Sequence, residues 1–372
     1  MRYEFIKADI AIIGAGAVGC ALARRASMSY PNKKIVVIEK RHAPGQETSR
    51  LNSNVIHSGL HQKPDSLKAL LARRGNKLIV DYALARRINT RQTGMIIAIP
   101  SHDLLSNPIS KLASLTHLIR QGHKQNIKFE FLSKSGIKRY EPQISALAGI
   151  FIPNVWIIDI YQFMRSLYLD ANSNGVNFLF HKEVTGIEKT SNGYQISANK
   201  LRVSSEIVIN AAGLYADKIA AMAGFEYQTE FWRGEYYEVS LEKSNLIHRL
   251  VYPVTSTQSP SKGIHFSPRI NGRLFIGPNA KLVPTRDYYN MDKTGADYFL
   301  ETASRFCSRI RSSDLRWGYS GIRPKLKNWQ KDSDFVINKD NDRPVFINLV
   351  GIDSPGLTAS MAIAEKVMTM IS

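Results

Sequence analysis

The sequence of 372 residues is too long for one hydrophobic core, because such cores stop growing at about 250–300 residues, so two domains are expected. A hydrophobic fraction of 44% and a charged fraction of 22% exclude a disordered or low-complexity protein, and no apolar stretch reaches the ~20 residues that span a bilayer. The formal net charge of +19 indicates an anionic partner, which could be a small substrate, a membrane surface or nucleic acid.

Two stretches of the chain concentrate the positive charge. Residues 63–91 and residues 305–331 each carry eight lysines and arginines, against two acids and one acid respectively. Neither stretch shows helix-turn-helix spacing, a zinc pattern or an aromatic RNA-binding signature, so nucleic acid is disfavoured. The favoured interpretation is a solvated basic face that attracts a small anionic substrate or, by peripheral association, an anionic membrane.

The first residues and the cysteines indicate in which cellular compartment the protein is expected. Residues 1–7 resemble neither a secretory signal nor a transit peptide. Cys20 and Cys307 are far apart in sequence and lack metal or redox spacing, so we expect small buried side chains and predict no metal site. A cytoplasmic protein is expected, with peripheral attachment to the inner face of the membrane as the alternative.

A strand–turn–helix–strand unit near the start of the chain predicts a dinucleotide site. Its turn carries Gly14-x-Gly16-x-x-Gly19 between apolar residues, and its second strand ends at Glu39. Gly14 allows the tight turn, Gly16 lets the backbone approach a pyrophosphate, and Gly19 lets the helix lie close to the strand. The helix N-terminus offers amide donors to the phosphates, and the Glu39 carboxylate can accept hydrogen bonds from an adenosine ribose. An ordinary glycine-rich turn is the alternative.

The segment after this unit is small and polar. Lys40 and Arg41 follow at the adenosine end of the site, where they could contact a phosphate or remain solvated. Residues 45–59 carry hydroxyls, amides and glycines that suit a backbone lying against a flat polar ligand. His57 is the only side chain of this segment that titrates near neutrality, and it is either structural or catalytic.

The remaining chain alternates between helical and strand patterns. Helices are predicted at residues 66–85, 104–121, 160–172 and 293–311 and in a last segment ending at residue 370, and strands at residues 93–100, 148–159, 176–180, 183–188, 206–213, 227–240, 250–254, 263–277 and 345–350. The aromatic-rich segments within residues 227–277 predict an antiparallel sheet with one open face. Because the nucleotide-facing strand ends lie far apart in sequence, the nucleotide domain is expected to be discontinuous, with a second domain inserted into it.

A series of short motifs runs through nearly the whole chain. They are Asn52-Ser53-x-Val55-Ile56-His57-Ser58-Gly59, Lys63-Pro64-x-Ser66-Leu67-Lys68-Ala69, Ile158-Asp159, Glu183-Val184-x-Gly186-Ile187-Glu188, Ala212-Gly213-Leu214-Tyr215-x-Asp217, Arg233-Gly234-Glu235-Tyr236, Tyr252-Pro253-Val254, Gly263-Ile264-His265-Phe266-x-Pro268-Arg269, Gly277-Pro278-Asn279-Ala280, Ser320-Gly321-Ile322-Arg323 and Ser354-Pro355. In this order they resemble the FAD-dependent oxidoreductases of the D-amino-acid-oxidase-like superfamily, and within it the L-2-hydroxyglutarate oxidase/dehydrogenase family. The chain departs from those enzymes at Leu60-His61-Gln62, where they carry paired tyrosines.

The resemblance implies an α/β fold with a discontinuous Rossmann-like FAD-binding domain and an inserted α+β substrate domain built on a mainly antiparallel sheet. The expected FAD-binding segments are residues 1–90, 148–224 and 315–372, and the expected substrate segments are residues 91–147 and 225–314. The residues expected to bind FAD are Gly14, Ala15, Gly16, Ala17, Val18, Gly19, Glu39, Lys40, Arg41, Ser49, Asn52, Ser53, Val184, Ala212, Gly213, Gly356, Leu357 and Thr358.

The chemistry implied by the resemblance is oxidation of a small 2-hydroxy acid to the 2-oxo acid by hydride transfer to flavin N5. His57 is the favoured base and His265 the second candidate, because an imidazole accepts a proton near neutral pH. Arg323 is the leading carboxylate anchor, since its planar fork pairs bidentately with a carboxylate. Arg233 and Tyr252 are further candidates for the pocket. Two arginines would suit a dicarboxylate, so L-2-hydroxyglutarate is the favoured substrate, with oxygen, a quinone or a carrier protein as electron acceptor.

Other functions remain open at this point. Within the same superfamily, an amine or amino-acid oxidase or a glycerol-3-phosphate-type dehydrogenase would use the same fold. Outside it, the first unit could serve a nicotinamide enzyme, and the high net charge could belong to a basic nucleic-acid-associated protein.

Overall fold

The structure is a computed structural model that describes residues 4–105, 108–256, 262–327 and 333–371; Lys331 of the second basic stretch and residues 106–107 of the second predicted helix lie outside them. The helices are α1 (Ala17–Ser29), α2 (Leu67–Ala85), α3 (Pro108–Lys124), α4 (Lys134–Tyr140), α5 (Ile160–Ser173), α6 (Ala216–Met222), α7 (Ala296–Phe306) and α8 (Gly356–Ile371). The strands are β1 (Glu4–Ile13), β2 (Ile35–Ile38), β3 (Val55–Ile56), β4 (Thr90–Gln92), β5 (Met95–Pro100), β6 (Glu130–Ser133), β7 (Ala146–Ile152), β8 (Trp156–Ile158), β9 (Asn177–Leu179), β10 (Val184–Thr190), β11 (Gly193–Ala198), β12 (Leu201–Asn210), β13 (Thr229–Val239), β14 (Leu250–Pro253), β15 (His265–Pro268), β16 (Leu274–Gly277), β17 (Lys281–Val283), β18 (Leu315–Leu326), β19 (Val336–Asp342) and β20 (Val345–Val350).

The first sheet has eight strands and forms the nucleotide side of the molecule. Its order is β10-β11-β12-β1-β2-β9, and β20 pairs with the end of β12 and with β19. Strands β9, β2, β1, β12 and β20 run parallel, so their carboxyl ends meet at one edge. All four residues of β2 are buried, as expected for a parallel strand covered on both faces. A ligand site is therefore expected beyond these strand ends.

Helices α5 and α8 cover α1, and the start of α8 lines the cavity. Helices α1 and α2 both pack against α8, and α5 packs against α1. Helix α2 begins where Ser66 accepts a hydrogen bond from the Ala69 amide (3.1 Å), and α5 begins where Asp159 accepts bonds from the Tyr161 and Gln162 amides (3.0 Å each). These caps fix the starts of both helices, and Ser66 at the start of α2 also lines the cavity.

The second sheet has nine strands and is mainly antiparallel. Its order is β17-β13-β16-β15-β14-β5-β7-β6, and β18 pairs with β13 along its whole length. Among the described residues of this sheet, β14 and β5 are the one parallel pair. Helix α7 packs on this sheet and buries Phe299 and Phe306 in its core. A third, three-stranded sheet of β3, β8 and β4 joins the two halves. The predicted fold class, an α/β protein with an inserted domain on a mainly antiparallel sheet, is confirmed.

The division of the chain into domain segments remains a prediction, and two strands differ from it. Strand β18 begins at the expected boundary of residue 315, yet it belongs to the antiparallel sheet because it pairs with β13. Strand β7 crosses the expected boundary at residue 148 and pairs with β5 and β6 of the same sheet. Backbone pairing therefore assigns residues 315–326 to the substrate side.

The structure also allows a search for membrane-spanning helices and shows the surroundings of the two cysteines. Within the described ranges, no helix is long and apolar enough to cross a membrane. Cys20 and Cys307 are both buried and free, as expected. Peripheral association with a membrane stays a prediction.

Glu141 is a buried acid at the end of α4 that does not line the groove. Its carboxylate accepts hydrogen bonds from the amides of His248 (3.0 Å) and Arg249 (2.6 Å), and burial raises the pKa of Glu141 to about 7. Because this pKa lies above the ~4.3 of an unfolded glutamate, the stability that the protonated group contributes is complete below pH ~4 and is lost as the pH rises to about 7.

We predict that Glu141→Gln flattens this pH dependence, because the amide oxygen still accepts both bonds and carries no charge. The measurement is the free energy of unfolding in urea at pH 5, 6, 7 and 8. The exposed Glu242→Gln is the matched control and should keep the wild-type slope. An unchanged slope in Glu141→Gln would contradict the assignment.

Candidate active site

The dinucleotide turn lies at the carboxyl end of β1 and leads directly into α1. Gly14 has φ +101°, and a Cβ at this position would come within 2.7 Å of the Ala211 carbonyl oxygen, so only glycine fits. Gly16 is the N-cap of α1 and makes no side-chain cap bond, and the first helical amide, that of Ala17, donates to Ser49 Oγ (2.9 Å). The helix N-terminus therefore presents backbone amides and a positive dipole end to the groove.

Glu39 lies at the tip of β2, next to this turn. Its carboxylate accepts hydrogen bonds from the Ala15 amide (2.7 Å) and the Arg41 amide (2.8 Å), which fix its position at the edge of the groove. The Arg41 side chain turns away and pairs with Glu47 (2.7 Å), which also pairs with Lys40 (2.7 Å). Glu39 and Lys40 line the groove, whereas Arg41 does not.

One continuous groove runs from the tip of β2 to the second sheet. Its two halves share Gly16, Thr48, Ser49, Ala211 and Gly213. The first half lies over the strand ends of the first sheet, and the second half widens into a cavity between β18, β15 and the start of α8. Two adjoining cavities of this kind suit an extended dinucleotide with its reactive end in the wider one.

The predicted cofactor residues divide into those that line the groove and those that support it. The lining residues are Gly14, Gly16, Ala17, Val18, Glu39, Lys40, Ser49, Asn52, Ser53, Val184, Ala212, Gly213, Gly356, Leu357 and Thr358. Ala15, Gly19 and Arg41 do not line it: Ala15 is wholly buried and its amide bonds to Glu39, and Gly19 packs against the Gly14 backbone. Ala15 and Gly19 shape the turn, and the Arg41 amide helps to hold the Glu39 carboxylate.

His57 is held by its backbone between α2 and α8. Its amide donates to Thr358 Oγ1 (3.0 Å), and its carbonyl oxygen accepts from Asn76 Nδ2 (3.0 Å). The imidazole lines the wide cavity next to Tyr252, His265 and Arg323. Burial, assisted by the charge of Lys262, lowers the pKa of His57 to about 4, so the ring is neutral at physiological pH and can accept a proton.

His265 lines the same cavity from β15. Its Nδ1–H donates to the Gly263 carbonyl oxygen (2.9 Å), which leaves Nε2 as the acceptor, and its ring stacks on Tyr252 with centroids 3.6 Å apart. Nε2 is buried and has no hydrogen-bond partner in the part of the chain that the structure describes. Burial lowers the pKa of His265 to about 3, so this ring is neutral as well.

Arg323 enters the cavity from β18. Gly234 on the neighbouring β13 makes room for it, since a Cβ there would come within 2.9 Å of the Arg323 guanidinium. None of the ion pairs in the described ranges involves Arg323. Its positive charge contributes to the lowered pKa of His265. The guanidinium is thus placed to bind an anionic group beside the two histidines.

The structure contradicts the prediction that Arg233 binds the substrate. It is fully buried and does not line the cavity. Its guanidinium donates to the backbone carbonyls of Tyr288 (3.2 Å), Met291 and Asp292 (2.6 Å) and lies 3.4 Å from the Glu235 carboxylate. Arg233 therefore anchors the loop that follows β17. The prediction failed because the residue faces the side of β13 away from the cavity.

Several cavity residues were not predicted from the sequence. Lys262, Lys325, Lys68 and Asp353 line the cavity, and His61 lies against Tyr252 with ring centroids 5.9 Å apart. Burial lowers the pKa of His61 well below its usual value. Lys325 could have been found, because it lies two residues beyond Arg323 on one strand and alternate residues share a face. Lys68 and Asp353 are far apart in sequence and come together only in the folded structure.

Arg269 and Tyr319 hold the polar segment of the groove in place. The Arg269 guanidinium donates to the Ser53 carbonyl oxygen and the Tyr319 hydroxyl oxygen, and Tyr319 Oη donates to the Asn52 carbonyl oxygen (2.7 Å). These bonds tie the segment that carries His57 to the antiparallel sheet. His57 is thereby connected to the strands that carry His265 and Arg323.

A parallel sheet with a glycine turn, joined through a continuous groove to a cavity with neutral histidines and an arginine, defines a dinucleotide-dependent oxidoreductase. The chain matches the profile of the family described as FAD dependent oxidoreductase over residues 9–370, and it belongs to that family. The protein is an FAD-dependent oxidoreductase.

Relatives of known activity cover most of the chain. It is 30% identical to the glycerol 3-phosphate dehydrogenase of Caloramator mitchellensis over 370 residues, which are 98% of this chain and 73% of that protein. It is 29% identical to the mitochondrial L-2-hydroxyglutarate dehydrogenase of Arabidopsis thaliana over 409 residues, 97% of this chain and 83% of that protein. The fold matches the dithionite-reduced L-α-glycerophosphate oxidase of Mycoplasma pneumoniae with FAD bound, with a TM-score of 0.87 and 27% identity over 98% of this chain and 94% of that chain.

The residues of the groove fit FAD. The N-terminus of α1, where the N-cap residue Gly16 has no side chain to occupy the amides, suits a pyrophosphate, and the fixed Glu39 carboxylate suits an adenosine ribose. The start of α8, with Gly356 and Leu357 on the cavity wall, presents a second positive helix end. Because α8 has 16 residues, its dipole can stabilise negative charge on the ring system of a flavin.

We predict that Gly14→Ala weakens FAD binding by about 10- to 100-fold. Alanine is strained at this positive φ, and its Cβ clashes with the carbonyl oxygen of Ala211, so the turn shifts away from the end of β12. The measurement is the dissociation constant from quenching of flavin fluorescence. Gly272→Ala is the matched control, since Gly272 also has a positive φ (+82°) but has no neighbour within 4 Å of the added Cβ. It should lose stability without losing affinity for FAD; equal losses of affinity in both variants would contradict the prediction.

Proposed function

We propose that the protein oxidises the secondary alcohol of a small dianionic hydroxy compound, with L-2-hydroxyglutarate converted to 2-oxoglutarate as the favoured reaction. The observation that carries the proposal is the cavity wall, where Arg323, Lys262 and Lys325 lie around two neutral histidines. Such a wall attracts a substrate with two negative charges. The similarity to L-2-hydroxyglutarate dehydrogenases supports the choice of substrate.

Each side chain of the cavity has its own role in the proposed reaction. The Arg323 guanidinium binds the carboxylate next to the alcohol, and its fork fixes the orientation of the reacting carbon. The neutral His57 imidazole accepts the hydroxyl proton, and His265 is the second candidate for that role. When bound, FAD supplies the acceptor for the hydride that leaves the carbon. Tyr252 stacks on His265 and limits the width of the cavity.

A second candidate substrate is glycerol 3-phosphate. It also carries two negative charges and a secondary alcohol, so the same cations could bind its phosphate. The similarity to a glycerol 3-phosphate dehydrogenase at 30% identity supports this alternative. Amino acids have less support, because a zwitterion uses one carboxylate only, and the glycine oxidase of Geobacillus kaustophilus, at 19% identity, is similar in fold alone.

The experiment is anaerobic reduction of the purified yellow protein by a panel of substrates. The panel contains L- and D-2-hydroxyglutarate, L-lactate, glycerol 3-phosphate, glycine and L-proline, and the readout is bleaching of the flavin absorbance. We expect L-2-hydroxyglutarate to reduce the flavin fastest. Bleaching by an amino acid alone would refute the proposal. Repeating the reaction with oxygen and with a soluble quinone identifies the electron acceptor.

A further inference from the structure

Two buried polar side chains hold the backbone on both sides of His57. The His57 amide donates to Thr358 Oγ1 (3.0 Å), and the His57 carbonyl oxygen accepts from Asn76 Nδ2 (3.0 Å). Thr358 is fully buried, and only 3% of the surface of Asn76 is exposed. Because burying a polar group is unfavourable unless it forms hydrogen bonds, these bonds account for the presence of both side chains in the interior.

The Thr358 hydroxyl is directed to the chain around His57. Besides accepting from the His57 amide, it donates to the Val55 carbonyl oxygen (3.3 Å), so both bonds go to the backbone of one short segment. Gly356 and Leu357, which precede Thr358 in the first turn of α8, line the cavity. The same helix turn therefore borders the groove that fits the flavin and holds the backbone of His57.

Close contact between α2 and α8 sets the position of Thr358. A Cβ added to Gly75 on α2 would come within 2.0 Å of the Thr358 carbonyl oxygen and 3.0 Å of Ala359 Cα. Asn76 is the next residue along α2. Because backbone atoms meet here without an intervening side chain, the two helices fix the groups that hold His57 relative to each other.

We propose that Thr358 and Asn76 are positioning residues that hold His57 at a fixed place relative to the start of α8, which borders the flavin groove. The inference rests on the proposed function and deepens it, since it assigns two side chains that act through the proposed base. A misplacement of ~1 Å in a reacting group can lower the rate of a chemical step about 100-fold. Loss of either hydrogen bond should therefore slow flavin reduction more than it weakens the binding of substrate.

The first test compares Thr358→Val with Thr358→Ser in the FAD-loaded enzyme. Valine keeps the branched shape of threonine without the hydroxyl, whereas serine keeps the hydroxyl. In single-turnover reduction at saturating substrate, Thr358→Val should lower the rate constant about 10- to 100-fold and Thr358→Ser less than about threefold. Asn76→Leu should resemble Thr358→Val. In each variant the half-saturating substrate concentration should change less than about threefold.

Thr369→Val is the matched control. It removes an exposed hydroxyl near the other end of α8, where Thr369 Oγ1 donates to the Lys366 carbonyl oxygen (2.7 Å). This variant should reduce its flavin at the wild-type rate. A loss in Thr369→Val as large as that in Thr358→Val would contradict a role tied to His57.

A double-mutant cycle separates positioning from a general loss of structure. If Thr358 acts through His57, adding Thr358→Val to His57→Gln should lower the remaining rate less than about threefold, because residues that act as a unit are not additive. A side chain that only stabilises the fold would slow both backgrounds by the same factor. That result would overturn the inference.

Amide hydrogen exchange gives a readout that does not require turnover. The bond to Thr358 protects the His57 amide, so Thr358→Val should speed up its exchange at least about tenfold, while Thr358→Ser and Thr369→Val should not. The amides of residues 207–210 on β12, in the middle of the first sheet, are the internal reference and should keep their protection. Faster exchange at both places would show a global loss of stability and contradict a local role.

The outcomes distinguish this inference from the proposed function. If an amino acid reduces the wild-type flavin and neither L-2-hydroxyglutarate nor glycerol 3-phosphate does, the proposed function fails, and the same rate comparison with that amino acid decides the role of Thr358. If L-2-hydroxyglutarate reduces the flavin and Thr358→Val matches the wild-type rate although its His57 amide exchanges freely, only the inference about positioning fails.

Discussion

Replacing Arg323 with methionine is expected to lower kcat/KM for a 2-hydroxy acid by about 100- to 1,000-fold, mainly through KM. The guanidinium lines the cavity beside His57 and His265, and no carboxylate of the described residues pairs with it, so its charge is available to a substrate. A bidentate pair with a carboxylate also fixes the position of the reacting carbon, so some loss of kcat is expected as well.

Arg323→Lys distinguishes the effect of the positive charge from that of the planar guanidinium. It keeps the positive charge but cannot form two parallel hydrogen bonds, so a smaller loss of about 10- to 50-fold is expected. Arg316→Met is the control, because Arg316 lies on the same strand and is exposed. Steady-state kinetics on FAD-loaded protein give the comparison. A methionine variant with wild-type kcat/KM would remove Arg323 from the binding site.

Replacing His57 with glutamine is expected to lower kcat by about 100- to 10,000-fold while leaving FAD bound, because general bases contribute rate factors of this size. His265→Gln should lower kcat by less than about tenfold if His265 only shapes the cavity. Single-turnover bleaching of the flavin isolates the chemical step from electron transfer to the acceptor. The reverse order of effects would assign the base to His265.

The pH profile gives an independent check on the base. A general base must be unprotonated, and burial lowers the pKa of His57 to about 4, so kcat/KM should hold its plateau well below pH 6.5 and fall only as the pH approaches 4. An acidic limb near pH 6.5 would show that the base has an ordinary histidine pKa and is not the buried ring.

The dinucleotide turn was predictable because its information is local. The spacing of Gly14, Gly16 and Gly19 and the acid at residue 39 follow from the geometry of one strand–helix–strand unit, and the structure contains this unit at the expected residues. Most of the expected cofactor residues line the groove for the same reason. Ala15 and Gly19 were predicted to bind FAD but do not line the groove, because a short motif contains both lining and supporting positions.

The substrate side was harder to predict, because it depends on pairings between distant strands. Arg233 and Arg323 both lie on strands of one sheet, β13 and β18, and the sequence does not say which face of each strand meets the cavity. The pairing puts Arg233 opposite Ile322, a fully buried residue, and leaves Arg323 beside Gly234. Lys262 and Lys68 reach the cavity from a turn and a helix whose approach no local pattern indicates.

Helix α8 links the stability of the fold to the binding of the cofactor. Its buried residues cover the apolar faces of α1 and α2, and its Thr358 hydroxyl holds the His57 amide. A chain without Gly356–Ile371 would therefore expose both helices and lose the cavity wall that Gly356, Leu357 and Thr358 form. Loss of this one helix would empty the flavin site and uncover apolar surface that favours aggregation at the same time.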